Sequence, residues 1–189
     1  MKERLKALQS ALESARFVSL VMRSEKDGEK YWVMRRESFN LLRGRVKNKK
    51  AAPFIDDIIV PPATLPEFLP RLYDIVKAYG IEPTLAGHAG SGNFHLIPLT
   101  DLSREEERKK IPEVLEKVIG LILEYGGSIT AEHNDGLIRS SYLLKMYGSE
   151  MYKLFERVKE IFDPQNIFNP GKKVGASLEY AMNHIKTTP

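Results

Sequence analysis

Residues 87–96, GHAGSGNFHL, place three glycines and two of the chain's four histidines within ten positions. No single regular element accommodates that stretch unbroken. Three glycines in the six residues 87–92 disfavour a helix. In one continuous strand, the odd separation of His88 and His95 sends their side chains to opposite faces. The two imidazoles converge only if the chain bends, and Gly90-Ser91-Gly92 supplies the bend. A tight turn there ends one strand at His88 and starts another just before His95, with the rings close together on the paired strands. The glycines also let backbone approach a ligand.

The flanking sequence reads as the rest of such a sheet. FIDDIIV (54–60) is strand-like and closed by Pro61-Pro62. Thr64 then opens a helix with an apolar face of Leu65, Phe68, Leu69, Leu72, Ile75, Val76 and Tyr79, and Gly80 lies past its end. Strands follow at about 82–88 and 92–99. Ser103 with Glu106 three residues on is a capping-box pattern. It opens a helix carrying Val114, Leu115, Val118, Ile119, Ile122 and Leu123 on one side, and Pro112 within it is expected to set the first turn apart. After Gly126-Gly127, SITAEH (128–133) reads as the last strand. The order over 54–133 is β-α-β-β-α-β, so the expected fold class is α+β: a ferredoxin-like antiparallel sheet with helices on one face, plus additional C-terminal helices.

Outside that unit, Leu5, Leu8, Leu12 and Ala15 recur at helical spacing, and FVSLVM (17–22) reads as a strand ended by the turn residues of SEKDGE. YWVMRRESFNLLR (31–43) is a helix stopping at Gly44. Residues 142–162 are helical, 163–175 form a turn-rich surface segment, and a short helix lies near SLEYAMNHI (177–185). A chain of 189 residues suits a single domain.

Composition excludes several chemistries. There is no cysteine, so any metal must be held by His, Asp, Glu or backbone oxygen. The net charge of +4 is mild, and the basic clusters KNKK (47–50) and RKK (108–110) lack interleaved aromatics, which favours solvated loops over nucleic-acid binding. Apolar runs fall far short of the ~20 residues of a membrane span, and the charged N-terminus is expected to be an amphipathic helix and not a signal peptide. A cytoplasmic protein is expected.

Spacing alone leaves the role of the histidines open. Two neutral imidazoles and a carboxylate form a frequent divalent-metal set with a vacant position for substrate, and Glu132, with His133 beside it, is the carboxylate candidate. Ordinary core or surface histidines fit the same spacing. Arg35 and Arg36, beside Trp32, are either solvated or have one guanidinium turned inward to grip a carboxylate. Asn134-Asp135-Gly136 reads as a turn, His184 as a surface residue, and NPGKK as a turn with solvated lysines.

Taken together, three segments resemble the C-terminal (cap, or substrate) domain of the FAD-linked oxidase family that includes D-lactate dehydrogenases, glycolate oxidase and D-2-hydroxyglutarate dehydrogenase. GHAGSGNFH is similar to that family's Gly-His-x-Gly-Asp-Gly-Asn-x-His signature. GGSITAEHNDG is similar to its Gly-Gly-x-x-x-x-Glu-His-Gly segment, and FDPQNIFNPGKKV to its closing Asp-Pro-x-x-Ile-x-Asn-Pro-Gly-Lys. YWVMRRE and IDDIIVPPATLPEFL resemble weaker upstream motifs. The resemblance implies that His88, His95 and Glu132 bind a divalent metal, commonly zinc, which takes the hydroxyl and carboxylate oxygens of a small 2-hydroxy acid. It further implies that His133 removes the hydroxyl proton as general base while hydride passes to flavin N5, and that Arg35 anchors the substrate carboxylate.

The departures are as informative. Ser91 stands where the family usually has Asp, Asn134-Asp135-Gly136 replaces the Gly after Glu-His, Ile55 lies where some members carry a substrate-binding lysine, and Phe39 where some have threonine. No Gly-rich pyrophosphate turn follows a strand. FAD is therefore expected on a separate FAD-binding domain or subunit, and the chain alone is not expected to bind FAD tightly or to turn over. The exposed face that would dock such a partner can also pair two copies of the chain. Two other readings stay open: a non-catalytic ferredoxin-like binding or assembly domain with a vestigial or structural metal site, and a free-standing metal-dependent hydrolase.

Overall fold

The computed structural model describes residues 2–15, 24–45 and 50–187. They form two compact units, Met1–Arg45 and Val46–Pro189. The first holds helices α1 (Lys2–Ser14) and α2 (Glu25–Arg45); the strand expected at 17–22 lies outside the described residues. SEKDGE is not a turn. Ser24 Oγ accepts the backbone N–H of Asp27 at 3.2 Å, and Glu25 and Asp27 sit in the first turn of α2. The hydroxyl satisfies an orphan donor and the acids suit the positive helix end, so the helix starts six residues earlier than its apolar pattern suggests.

The second unit is built on a hairpin. Strand β3 (Glu82–His88) pairs antiparallel with β4 (Asn93–Thr100) along its whole length, and the free edge of β4 takes two short strands, β1 (Lys50–Ala51) near its end and β2 (Ile58–Ile59) near its start. Helices α3 (Leu65–Ala78) and α4 (Glu105–Glu124) pack on one another. Phe68, Leu72 and Val76 of α3 meet Val114, Leu115, Val118, Ile119 and Ile122 of α4 in one buried cluster with Ile58, Val60, Phe94 and Leu96 of the sheet. These are the faces the helical periodicity marks, and their burial drives the fold. Helix α4 runs through Pro112 without a break. It does not start at Ser103: the Ser103 N–H and hydroxyl both donate to Asp101 Oδ1 (3.1 and 2.6 Å), and the capping box is not formed. The chain continues through α5 (Gly136–Arg139), α6 (Leu143–Phe162) and α7 (Leu178–Asn183), with Gly148 at φ 76° and ψ 167° interrupting α6. No helix of the described residues is long and apolar enough to cross a membrane.

The class is α+β, as the patterning indicates, but the ferredoxin-like order is incomplete at both ends. The expected strand 54–60 shrinks to Ile58–Ile59, and 128–133 contributes one isolated bridge, Ser128 to Ile59. Both losses have one cause. Asp57 adopts a left-handed φ of 65°, which ends the extended run, and its carboxylate is fully buried. There it accepts from Thr130 Oγ1 (2.9 Å) and from the backbone N–H groups of Ala131 (2.8 Å), Glu132 (3.1 Å) and His133 (2.9 Å). Those N–H groups go to a carboxylate and not to a strand ladder, so the segment curls into a loop.

Burial by itself raises the Asp57 carboxyl pKa, but the hydrogen bonds from Ala131, His133, Glu132 and Thr130 outweigh it and hold the group below the ordinary carboxylate range. With the folded value depressed, the stabilisation is complete above about pH 4 and is lost as pH falls through the folded value. Asp57→Ala strips four donors of a charged acceptor and is expected to cost on the order of 3 kcal/mol, read as a lower urea midpoint. The wild-type midpoint should fall more steeply than the variant's on acidification; equal slopes would remove Asp57 as the cause.

Candidate metal centre

The hairpin register sets the first two ligand candidates. His88 faces Asn93 and Ala86 faces His95 across the ladder, so His88 and His95 are diagonal neighbours on one face of the sheet. Their ring centroids lie 5.9 Å apart at 89°, while Phe94 and Leu96 belong to the core. The connecting residues, Ala89–Ser91, form a short 3-10 turn that exits through Gly92 at φ 76°. Glycine is required at this position, because an added Cβ would sit 1.9 Å from the Val60 carbonyl oxygen. Ser91, which stands where the resembled family has Asp, donates its hydroxyl to the His88 carbonyl at 3.1 Å and so closes the turn.

The loop organised by Asp57 delivers the remaining groups. Glu132 Oε1 lies 3.0 Å from His95 Nε2, 3.4 Å from His88 Nε2 and 3.5 Å from His133 Nε2. His133 stacks on His95 with centroids 4.6 Å apart and planes 10° from parallel. Behind the stack, Asp56 Oδ1 is 3.0 Å from His95 Nδ1 and Oδ2 is 3.2 Å from His133 Nδ1. His95 and Asp56 are largely covered, at 14% and 18% side-chain exposure, whereas His88, Glu132 and His133 are 44–50% exposed. The cluster is thus a built wall with an open front. It is separate from the apolar cavity of about 260 Å³ lined by Phe54, Leu102, Ile111, Ile138 and Ala181.

These donor atoms fit a metal ion. Nitrogen and oxygen ligands at ~2.0–2.1 Å in a tetrahedral set stand about 3.3 Å from one another, and the contacts to Glu132 Oε1 span 3.0–3.5 Å. His88, His95 and Glu132 offer ligand atoms all within 4.8 Å of one another, as do Asp56, His95 and His133. Neutral imidazole with carboxylate is a set that zinc and other divalent first-row ions accept.

The structure therefore brings together His88, His95, Glu132 and His133. Arg35 belongs to the N-terminal unit, on α2, where its guanidinium lies 5.9 Å from the Trp32 ring centroid. Three residues at or behind the cluster escaped the sequence reading. Asp56 and Asp57 lie within the segment that reads as a strand, and two adjacent acids inside an apolar run are the available signal. Arg139 is buried and donates to the carbonyls of Asp135 (3.2 Å) and Asn134 (2.5 Å). Its burial pulls the guanidinium pKa down, and the charges of Asp57, Asp56 and Asp135 oppose that. Asp135 is buried too and is ion-paired to Lys173, so that lysine is not simply solvated as its turn motif suggests.

Gly92→Ala is expected to cost at least about 2 kcal/mol and to separate the two histidines, whereas Gly90→Ala, whose Cβ would meet nothing within 4 Å, should stay within about 0.5 kcal/mol of wild type. Denaturation of both variants checks this; equal midpoints would show that the close approach at Val60 is unimportant.

A family model described as FAD linked oxidases, C-terminal domain, matches residues 1–173. The D-2-hydroxyglutarate dehydrogenase of Haemophilus influenzae is 31% identical over 144 residues, 76% of this chain and 14% of that protein. The D-lactate dehydrogenase of Archaeoglobus fulgidus is 38% identical over 118 residues, 62% of this chain and 26% of that protein. Glycolate oxidase subunit GlcD of Bacillus subtilis is 32% identical over 123 residues, 65% of this chain and 26% of that protein. The chain thus spans between 14% and 26% of the length of these relatives.

Proposed function

The chain belongs to the FAD-linked oxidase C-terminal domain family, and from that membership we propose that it is the metal- and substrate-binding cap of a flavin-dependent 2-hydroxy-acid dehydrogenase or oxidase. The observation that carries the reading is the convergence of three imidazole Nε2 atoms on one carboxylate oxygen, Glu132 Oε1, at 3.0–3.5 Å. His88, His95 and Glu132 hold the divalent ion, and zinc suits the donor set. When bound, that ion lowers the pKa of a coordinated hydroxyl and neutralises a carboxylate, and FAD on a separate domain supplies the hydride acceptor.

The chain's own residues do the rest. His133 reaches the open side of the cluster through Nε2 while its Nδ1 rests on Asp56. It takes the substrate's hydroxyl proton, and the imidazolium it becomes is stabilised by the Asp56 carboxylate. The half-open front of the site leaves room for a small hydroxy acid and for the partner that covers it.

An apolar stripe supports such a partner. Met151, Leu154, Val158 and Ile161 recur along α6 at three- and four-residue spacing and are 43–71% exposed, and Phe162, Ile167 and Phe168 extend the patch. An FAD-binding domain covers it in the working enzyme. The isolated chain is expected to self-associate through the same face, read by light scattering, and Leu154→Glu with Ile161→Glu should abolish the association; a strict monomer without apolar dye binding would count against the stripe.

The purified chain, dialysed against zinc and analysed by elemental mass spectrometry, should carry about one equivalent of metal, and His88→Ala with His95→Ala should carry none. Metal-free wild type under those conditions would sink the metal reading. Combined with its FAD-binding partner under anaerobic conditions, the loaded chain should support bleaching of the flavin by D-2-hydroxy acids.

A further inference from the structure

Asp56 approaches the cluster from the side opposite Glu132, and it touches two rings at once. Each oxygen has its own imidazole: Oδ1 meets His95 Nδ1 at 3.0 Å and Oδ2 meets His133 Nδ1 at 3.2 Å. The side chain is itself held, because Oδ1 also accepts the backbone N–H of Asp57 at 2.9 Å. The near-parallel stack of His95 and His133 lines up both Nδ1 edges on this carboxylate. It lines up both Nε2 edges on Glu132 Oε1.

An ionised carboxylate only accepts hydrogen bonds. A neutral imidazole donates from one nitrogen and carries a lone pair on the other, and the partner of one nitrogen decides which is which. We propose that Asp56 is a positioning residue that locks His95 and His133 together as Nδ1–H tautomers, so that one carboxylate presents both the metal ligand and the base through Nε2. The assignment rests on the reading of His95 as ligand and His133 as base. Glu132 Oε1 then stands close to two ring lone pairs, an arrangement of acceptors that is favourable around a cation. The sequence pattern supplies the division of labour. Asp57 turns inward to fold the loop that carries His133, and Asp56, one residue before it, faces the rings that the loop delivers.

Asp56→Asn is the discriminating variant. A carboxamide offers one acceptor and one donor group where the carboxylate offers two acceptors. One ring can keep its Nδ1–H on the amide oxygen; the other faces an N–H group and must move its own proton to Nε2. Long-range proton–nitrogen NMR of metal-free protein in mildly alkaline buffer should show both rings as Nδ1–H in wild type and in Asp56→Glu, and one ring as Nε2–H in Asp56→Asn. Zinc affinity by chelator competition should fall roughly 10- to 100-fold in Asp56→Asn, with at least partial recovery in Asp56→Glu.

Wild-type spectra with either ring as Nε2–H would overturn the proposal whatever the variants do. So would an Asp56→Asn protein with both rings unchanged and zinc affinity within about twofold of wild type. A second zinc equivalent lost only with Asp56 would make the residue a ligand, and the proposal would fall. If wild type binds no zinc at all, the metal reading fails by itself, and the tautomers of the metal-free protein still decide the role of Asp56. Should Asp56→Asn not fold, wild type and Asp56→Glu give the same decision.

Discussion

A buried carboxylate has to be met by hydrogen-bond donors or it destabilises the fold, and at Asp57 the donors come from a segment more than seventy residues away. Thr130, Ala131, Glu132 and His133 all turn toward that one side chain. The arrangement costs the sheet its closing strand, since the backbone N–H groups that would form a ladder are spent on the carboxylate. In return the loop is held by charge-assisted bonds, which are stronger than neutral ones. Glu132 and His133 are then delivered to the hairpin without depending on strand register. Everything at the candidate centre that does not come from the hairpin depends on this interaction.

The hairpin contributes the complementary constraint. Its register places His88 and His95 as diagonal neighbours, and its turn is pressed against the end of β2 so closely that Gly92 has no space for a side chain. One half of the centre is therefore set by backbone pairing and the other by a side-chain carboxylate. The two halves meet at the Asp56-Asp57 pair, which spans both: Asp57 organises the loop and Asp56 contacts a ring from each half. Buried Arg139, whose guanidinium pKa is pulled down by burial against the opposing charges of Asp57 and Asp56, sits behind them. Burying Asp57 beside a second acid is tolerable because the hydroxyl of Thr130 and three backbone N–H groups meet its carboxylate.

Two faces of the second unit stand open to solvent. The α6 stripe repeats large apolar side chains at the spacing by which helices usually bury a face, yet among the described residues that face has no partner. The front of the histidine cluster is likewise half exposed. The chain spans 14% and 26% of the length of two relatives it matches.

Much of this was legible without coordinates. The glycine-histidine segment by itself required a turn and a shared face for His88 and His95, because strand alternation and glycine sterics are local rules. The apolar faces of α3 and α4 followed from helical period, and the ordered motifs identified the family. What the linear pattern could not show is that FIDDIIV is mostly not a strand and SITAEH barely one. Both have the right composition, and only the burial of Asp57 against Thr130–His133 overrides it. The role of Asp56 was hidden for the same reason: a carboxylate that bridges two imidazoles is defined by distances among residues 56, 95 and 133, which no local pattern encodes. Local sterics and periodicity therefore determined the hairpin and the helices, while the pairing of a buried charge with distant donors, a property of the folded chain alone, decided where the site's remaining groups stand.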